Sequence, residues 1–135
     1  MSSSHAQVIR NLFAAFNRGD VRAVEDLWTL DAVWRPAYLG GGLVEGTVFE
    51  GHAGVSAFVT SQSDAWESIA ATPIEIRSVA DRVLVKVRLE GVGRSSGLAV
   101  DRVTWNVFEL RGAKVASGCV YGTEQEALIA IGAAS

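Results

Sequence analysis

The stretch LAVDRVTWNVFELRGAKVASGCVY, residues Leu98–Tyr121, decides the fold. It predicts two long antiparallel strands, Leu98–Leu110 and Lys114–Tyr121, joined by a tight turn at Arg111-Gly112-Ala113. Gly112 supplies the positive φ that such a hairpin needs. β-branched and aromatic residues are dense in the first strand, as a packed pleated surface favours.

The first strand has no purely polar face. One face carries Asp101, Val103, Trp105, Val107 and Glu109, and the other carries Leu98, Val100, Arg102, Thr104, Asn106, Phe108 and Leu110. A sheet with one face in water would alternate apolar and polar residues along the strand. We therefore expect both faces to be covered, and we expect the face with Arg102, Thr104 and Asn106 to line a partly polar site.

The rest of the chain alternates helical and extended patterns. The predicted elements are, in chain order, helices Ala6–Arg18 and Val21–Leu30, strands Ala32–Arg35 and Thr47–Glu50, helix Gly51–Trp66, strands Ala70–Val79 and Arg82–Gly91, then the hairpin and a closing helix Glu124–Ile131. Helices followed by strands predict one α+β domain spanning residues 1–135. Its curved antiparallel sheet, an open cone or half-barrel, should carry the helices on its concave face.

Two segments are expected to lack regular structure. Residues 1–5 precede the first apolar stripe and are expected to be disordered. The segment Pro36–Gly46 contains three consecutive glycines, Gly40, Gly41 and Gly42, which predict a loop and a candidate lid.

Composition excludes several classes of function. The net charge is −3, and no two Lys or Arg residues are adjacent, which argues against nucleic acid or an anionic membrane as a partner. The single cysteine, Cys119, and the separated histidines, His5 and His52, predict neither a disulfide nor a metal site. Neither a signal peptide pattern nor a long apolar run is present, so we expect a soluble, cytoplasmic protein.

The runs NLFAAFNRGDVRAVEDLWTLDAVW, VFEGHAGVSAFV and LRGAKVASGCVYGTEQEALIAIG resemble the SnoaL-like branch of the nuclear-transport-factor-two-like superfamily. This superfamily includes polyketide cyclases, ketosteroid isomerase, scytalone dehydratase and limonene epoxide hydrolase. The resemblance covers about Val8–Gly132. It implies a cone-shaped fold and cofactor-free isomerase, cyclase, dehydratase or epoxide hydrolase chemistry on an apolar or polycyclic oxygenated substrate. The resemblance is also compatible with proteins of this fold that only bind a ligand or associate with another protein, without catalysis.

The functional positions of these enzymes are only partly matched. In the segment where ketosteroid isomerases resemble this chain and carry a tyrosine, this chain has Leu12. Arg35 stands at or near the position of their general base. Asn106 falls on their second oxyanion donor and, by rough alignment, on the aspartate of the cyclases; an amide cannot titrate. The resemblance thus implies a retained pocket without the known catalytic sets. Arg88, Asp101 and Arg102 leave an Arg-Asp-Asp arrangement of the epoxide hydrolase type open.

Three residues are candidate catalytic groups. Asn106 is a candidate orienting or oxyanion-type group, or alternatively a sheet asparagine satisfied by backbone. Arg102, if it shares that face, is a candidate internal cation for a carboxylate or enolate, or alternatively part of an edge or interface ion pair. Asp101 becomes the candidate general base if a bulge inverts the phase of the strand.

The candidate ligand-binding residues come from several elements and are mostly aromatic, as suits a flat or cyclic organic ligand. They are Trp34, Tyr38, His52, Phe58, Trp66, Arg88, Thr104, Phe108 and Tyr121. His52, at the start of a helix, has either a local structural role or acid-base activity near neutral pH. No cofactor is expected.

Two hypotheses of function remain: an acid-base enzyme, and a non-catalytic binding or dimerisation module. Val103, Trp105 and Val107 would leave an apolar patch on the outer face, which favours a homodimer through that face. An Asp, Glu or His with a strongly shifted pKa inside the pocket would favour the enzyme.

Overall fold

The computed structural model of the chain describes residues 2–36 and 48–132, and these form four helices and one six-stranded sheet. The helices are α1 (Ser2–Arg18), α2 (Val21–Leu27), α3 (Gly51–Ala65) and α4 (Glu124–Ile131). The strands are β1 (Trp28–Arg35), β2 (Phe49–Glu50), β3 (Trp66–Val79), β4 (Arg82–Gly93), β5 (Ala99–Arg111) and β6 (Lys114–Tyr121). The predicted α+β class is confirmed.

The sheet is mixed rather than wholly antiparallel. Strands β3, β4, β5 and β6 form the predicted antiparallel meander. Strand β1, however, pairs in parallel with β6, with Trp34 opposite Gly118, and β2 closes the edge beyond β1. The prediction of an antiparallel sheet was wrong for this one pair, because its strands are far apart in the chain and no local pattern links them.

Several boundaries differ from the sequence-based prediction. Helix α1 begins at Ser2, so the segment expected to be disordered is helical from that residue on. Helix α2 ends at Leu27, because Trp28 adopts an extended backbone and starts β1. The predicted loop and lid at Pro36–Gly46 lie almost wholly outside the described residues.

The two faces of the sheet carry different helices. Helices α1, α2 and α3 pack on the face that carries Val83, Val85 and Phe108, which we call the inner face. Helix α4 packs on the opposite, outer face, against Leu84 and the partly buried Trp105, Val107 and Tyr121. The prediction that all helices share one face was therefore wrong.

Helix α4 is fixed at both of its ends. Thr123 Oγ1 accepts a hydrogen bond from the Glu126 amide at 3.2 Å, and Gly132 ends the helix with a φ of +80°. The helix covers part of the apolar patch that the sequence analysis assigned to a partner subunit. The homodimer itself stays a prediction.

Gly118 allows two inner-face rings to stack. The rings of Trp34 and Phe108 have centroids 5.9 Å apart and an interplanar angle of 6°. Gly118 lies opposite both residues, in the strand between them. A Cβ at this position would lie 2.8 Å from carbons of each ring.

Replacing Gly118 by alanine is expected to lower the free energy of unfolding by about 1–3 kcal/mol, because the added methyl group overpacks the core. Urea denaturation would measure the loss. The neighbouring Ser117→Ala, on the outer face, serves as a control and should change stability little. An unchanged stability of Gly118→Ala would contradict the ring packing.

No helix within residues 2–36 and 48–132 is long and apolar enough to span a membrane.

Candidate functional site

A cavity of about 60 Å³ lies between the inner face of the sheet and helices α1, α2 and α3. We call it the inner cavity. Its lining is almost entirely apolar and consists of Leu12, Phe13, Phe16, Val24, Trp28, Trp34, Val55, Phe58, Val59, Gln62, Ile69, Ala71, Val87, Leu89, Thr104, Asn106 and Phe108.

Strand β5 contributes the polar part of the sheet wall. Asn106 and Thr104 line the inner cavity beside Phe108, with exposed fractions of only 4% and 2%. Strand β5 therefore turns Thr104, Asn106 and Phe108 toward the cavity, as the sequence predicted. Within the described part of the chain, Asn106 Oδ1 and Thr104 Oγ1 are buried and have no hydrogen-bond partner. Such groups cost roughly 1–3 kcal/mol each when they stay unsatisfied.

Aromatic rings from β1, β5 and α3 form another part of the cavity wall. Trp34 stacks on Phe108 and meets Trp28 and Phe58 edge to face, at centroid distances of 5.8 and 5.5 Å. The indole Nε1 atoms of Trp28 and Trp34 are also buried without a partner among the residues described. The sequence pattern predicts Trp34 and Phe58 at the site but not Trp28, which it predicts to be helical.

Trp66 lies next to the inner cavity without lining it. Its indole Nε1 donates a hydrogen bond of 3.1 Å to Oε1 of Gln62, which does line the cavity. Trp66 was among the residues predicted to bind the ligand, and Gln62 was not. The available signal was a polar residue on the apolar side of α3, beside Phe58 and Val59.

Arg102 does not provide an internal cation. Its backbone pairs with Leu89 on the inner face, but the residue is exposed and does not line the inner cavity. Alternation along the strand predicted the face correctly. The long side chain nevertheless keeps its charge in water, which avoids the cost of burying an unpaired cation.

Asp101 and Arg88 form an ion pair on the outer face. Arg88 Nε and Nη2 donate to the two carboxylate oxygens of Asp101 at 3.0 and 2.7 Å, and both side chains are about half exposed. The hydrogen bond from Arg88 lowers the pKa of Asp101. The proposals of Asp101 as a base in the cavity, of Arg88 as a ligand contact and of a buried Arg-Asp-Asp set were therefore wrong.

Replacing Arg88 by glutamine is expected to raise the pKa of Asp101 toward the ordinary value of about 3.9. A lowered pKa in the folded state stabilises the fold above the unfolded-state pKa. This contribution is lost as the pH falls through the folded-state pKa. Carboxyl NMR titration would measure the change. Asp31, whose pKa is lowered by Thr29 and Arg111, should titrate as before, and an unchanged Asp101 would contradict the pairing.

Tyr121 and His52 also lie outside the inner cavity. Tyr121 packs on the outer face near α4, and burial raises its pKa to about 12. His52 Nε2 lies 2.8 Å from the Trp28 carbonyl oxygen; a carbonyl only accepts, so this nitrogen carries the proton. The structure thus gives His52 a local contact between α3 and β1, which agrees with the structural role considered for it. The prediction that His52 and Tyr121 bind the ligand was wrong for this cavity. Tyr38 lies outside the described residues.

The family follows from the comparison with known domains. The model of the SnoaL-like domain matches residues 9–118. The chain belongs to the SnoaL-like family. No curated protein matches it.

Solved structures share the fold of this SnoaL-like protein at low sequence identity. A protein with a ketosteroid isomerase-like fold from Catenulispora acidiphila, in complex with trimethylamine, is 15% identical, with 93% of this chain and 92% of that chain covered and a TM-score of 0.76. TerC, co-crystallized with polyporic acid, is 20% identical, with 96% and 98% covered and a TM-score of 0.76. SalBIII, an epoxide hydrolase/cyclase-like enzyme of pyran ring formation in salinomycin, is 21% identical, with 93% and 96% covered and a TM-score of 0.75. These likenesses show the fold alone.

The described lining of the inner cavity offers hydrogen-bonding side chains within apolar walls. None of its lining residues, as far as the structure describes them, is an Asp, Glu, His, Lys or Arg. Residues 2–36 and 48–132 also contain no cluster of three or more His, Cys, Asp or Glu side chains that could bind a metal ion. The described lining can therefore exclude water, bind an apolar body and orient a polar group.

Proposed function

We propose that this SnoaL-like protein binds a small, neutral and largely apolar molecule in the inner cavity, with Asn106 and Thr104 as its polar contacts. The observation that carries the proposal is the pair of buried, unpartnered oxygens in an otherwise apolar lining. A ligand oxygen can accept from the Thr104 hydroxyl, whereas Asn106 Oδ1 only accepts and needs a ligand hydroxyl as its donor. Such hydrogen bonds would offset the cost of burying the two oxygens. Because no charged side chain lines the described cavity, a charged ligand would lose its hydration without compensation.

Binding without acid-base catalysis is the better supported of the two functions. Proton transfer needs a titratable group within hydrogen-bond reach of the substrate, and perturbed pKa values mark such groups. Among the carboxylates of the described chain, lowered pKa values occur at Asp31 and Asp101, both exposed and paired with arginine at the surface.

The volume of the inner cavity limits the size of the ligand. About 60 Å³ is far below the roughly 300–1,000 Å³ typical of sites for drug-sized molecules. A polycyclic substrate would require the rings of Trp34 and Phe58 to move. We therefore propose a ligand of a few non-hydrogen atoms, such as one small ring with an oxygen substituent.

Cyclisation directed by cavity shape is a second candidate function. It is supported by the structural likeness to SalBIII, whose name describes an epoxide hydrolase/cyclase-like enzyme. Here the amide of Asn106 would hold an oxygen of the substrate while the apolar walls fold its chain. Positioning of this kind needs no titrating side chain. The substrate hydroxyl would form the new C–O bond as the epoxide C–O bond breaks, and its proton would pass to the epoxide oxygen, so the reaction is an isomerisation.

The four tryptophans provide the test. We expect a small cyclic ketone, cyclobutanone, to shift the indole N–H signals of Trp28 and Trp34 in ¹H–¹⁵N NMR spectra at millimolar concentration. Trp105, on the outer face, should not shift. Shifts at Trp105 alone, or at none of the indoles, would overturn the proposal. The second candidate would be favoured if the protein converts an acyclic epoxy alcohol to a cyclic ether. Chromatographic separation with mass spectrometry would follow this conversion.

A further inference from the structure

Gln62 is a polar residue in the apolar wall that the helices contribute to the inner cavity. It lies on α3 with the buried residues Val55, Phe58 and Val59, and only 4% of its surface is exposed. Amide side chains in such positions need hydrogen-bond partners on both their oxygen and their nitrogen. The two ends of this amide have different surroundings.

Trp66 fixes the orientation of the Gln62 amide. The indole Nε1 can only donate, so the Gln62 atom 3.1 Å away is the accepting Oε1. The same two residues are also joined through their backbones, because the Trp66 amide donates to the carbonyl oxygen of Gln62 at the end of α3. Trp66 is itself buried, with an exposed fraction of 5%. Reversing the Gln62 amide would set two donors against each other.

Because Trp66 holds Oε1, the NH₂ group is the end of the Gln62 amide that can donate to a ligand. The indole nitrogens of Trp28 and Trp34, which line the same cavity, are also donors only, and they have no partner among the described residues. In the described lining these three donors outnumber the single obligatory acceptor without a partner, Asn106 Oδ1, since the Thr104 hydroxyl can donate or accept.

We infer that Gln62, oriented by Trp66, is a specificity-determining residue that selects neutral ligands with an acceptor oxygen, such as a ketone or a lactone, over hydrocarbons of the same shape. This inference rests on the proposed function and assigns the chemical class of its ligand. Gln62 supplies the donor and Trp66 is a positioning residue.

The experiment compares cyclobutanone with methylenecyclobutane, which has nearly the same shape and lacks the acceptor. Dissociation constants come from titrations followed at the indole N–H signals of Trp28 and Trp34. The variant Gln62→Leu is expected to lower the affinity for the ketone relative to the hydrocarbon about fivefold, the usual effect of one lost hydrogen bond. Trp66→Phe frees the amide to reverse and should lower the same ratio by a smaller factor. Gln125→Leu, an exposed glutamine on α4, is the matched control and should leave the ratio unchanged.

The possible outcomes separate the inference from the proposed function. If neither probe shifts the two indole signals in the wild-type protein, the proposed function fails and the inference fails with it. If both probes bind and Gln62→Leu leaves their affinity ratio within twofold of the wild type, only the inference is overturned. A loss of hydrocarbon binding in Gln62→Leu equal to the loss of ketone binding would show a packing role and would also overturn it. If Gln62→Leu does not fold, Trp66→Phe decides the question. A lowered ratio of ketone affinity to hydrocarbon affinity in Trp66→Phe would support the inference, and an unchanged ratio would overturn it.

Discussion

Replacing Phe108 by alanine is expected to lower the free energy of unfolding by about 3–5 kcal/mol, the range for a fully buried phenylalanine. Only 1% of the side chain is exposed. Its ring stacks on Trp34 and meets Phe13 and Trp28 edge to face, with centroids 6.1 and 6.3 Å away. The truncation removes these contacts and enlarges the inner cavity. Urea denaturation followed by tryptophan fluorescence would measure the loss.

Phe49→Ala is the matched control for this change. Phe49 lies on the two-residue strand β2 and is only partly buried, although it also meets another ring, that of Phe58. Its truncation should cost clearly less than that of Phe108. Domains of this size are stable by roughly 5–15 kcal/mol, so Phe108→Ala removes a large share of the total stability. A loss below about 1 kcal/mol would contradict the central place of this ring in the core.

Replacing Asn106 by leucine is expected to abolish binding of cyclobutanone while leaving the free energy of unfolding unchanged or higher. The amide oxygen has no partner among the described residues, so its removal relieves a buried unsatisfied group. Leucine has a similar size and fills the same space with apolar atoms. The loss of binding follows because the ketone oxygen only accepts hydrogen bonds and then lacks the Asn106 NH₂ group as its donor on the sheet wall.

Two measurements separate this result from a general loss of structure. Thermal denaturation should give an equal or higher midpoint for Asn106→Leu. Asn11→Leu, an exposed asparagine on α1, should bind the ketone as the wild type does. Retained binding in Asn106→Leu, or a stability loss above roughly 2 kcal/mol, would contradict the role given to Asn106.

The sequence predicted the elements that depend on local patterns. Alternation along β5 placed Thr104, Asn106 and Phe108 on one face, and the structure shows them buried there. The capping box at Thr123 predicted α4 with its observed bounds. Strand β6 likewise has its predicted bounds, because the turn at Gly112 fixes its start.

The remaining errors concern contacts between distant segments. Alternation predicts the face on which Arg102 lies, but not whether the helices reach far enough to cover it. The partner of Asp101 on the neighbouring strand depends on the register of β4 and β5, which places Arg88 within reach on the outer face. The face chosen by α4 depends on an apolar patch that only the assembled sheet creates. Gln62 was visible on its helix, but its importance comes from Trp66 and the cavity together.

The parallel pairing of β1 with β6 affects the order in which the protein can assemble during synthesis. Ion pairing of Arg111 with Asp31 joins residues 80 positions apart, and Lys114 reaches the Asp26 carbonyl oxygen across 88 positions. Contacts of such separation slow folding, because the loop between them must close first. A nascent chain that has not yet released β6 from the ribosome lacks the strand that joins β1 to the rest of the sheet. Trp28 and Trp34 then remain open to chaperones and to aggregation until almost the whole domain has emerged.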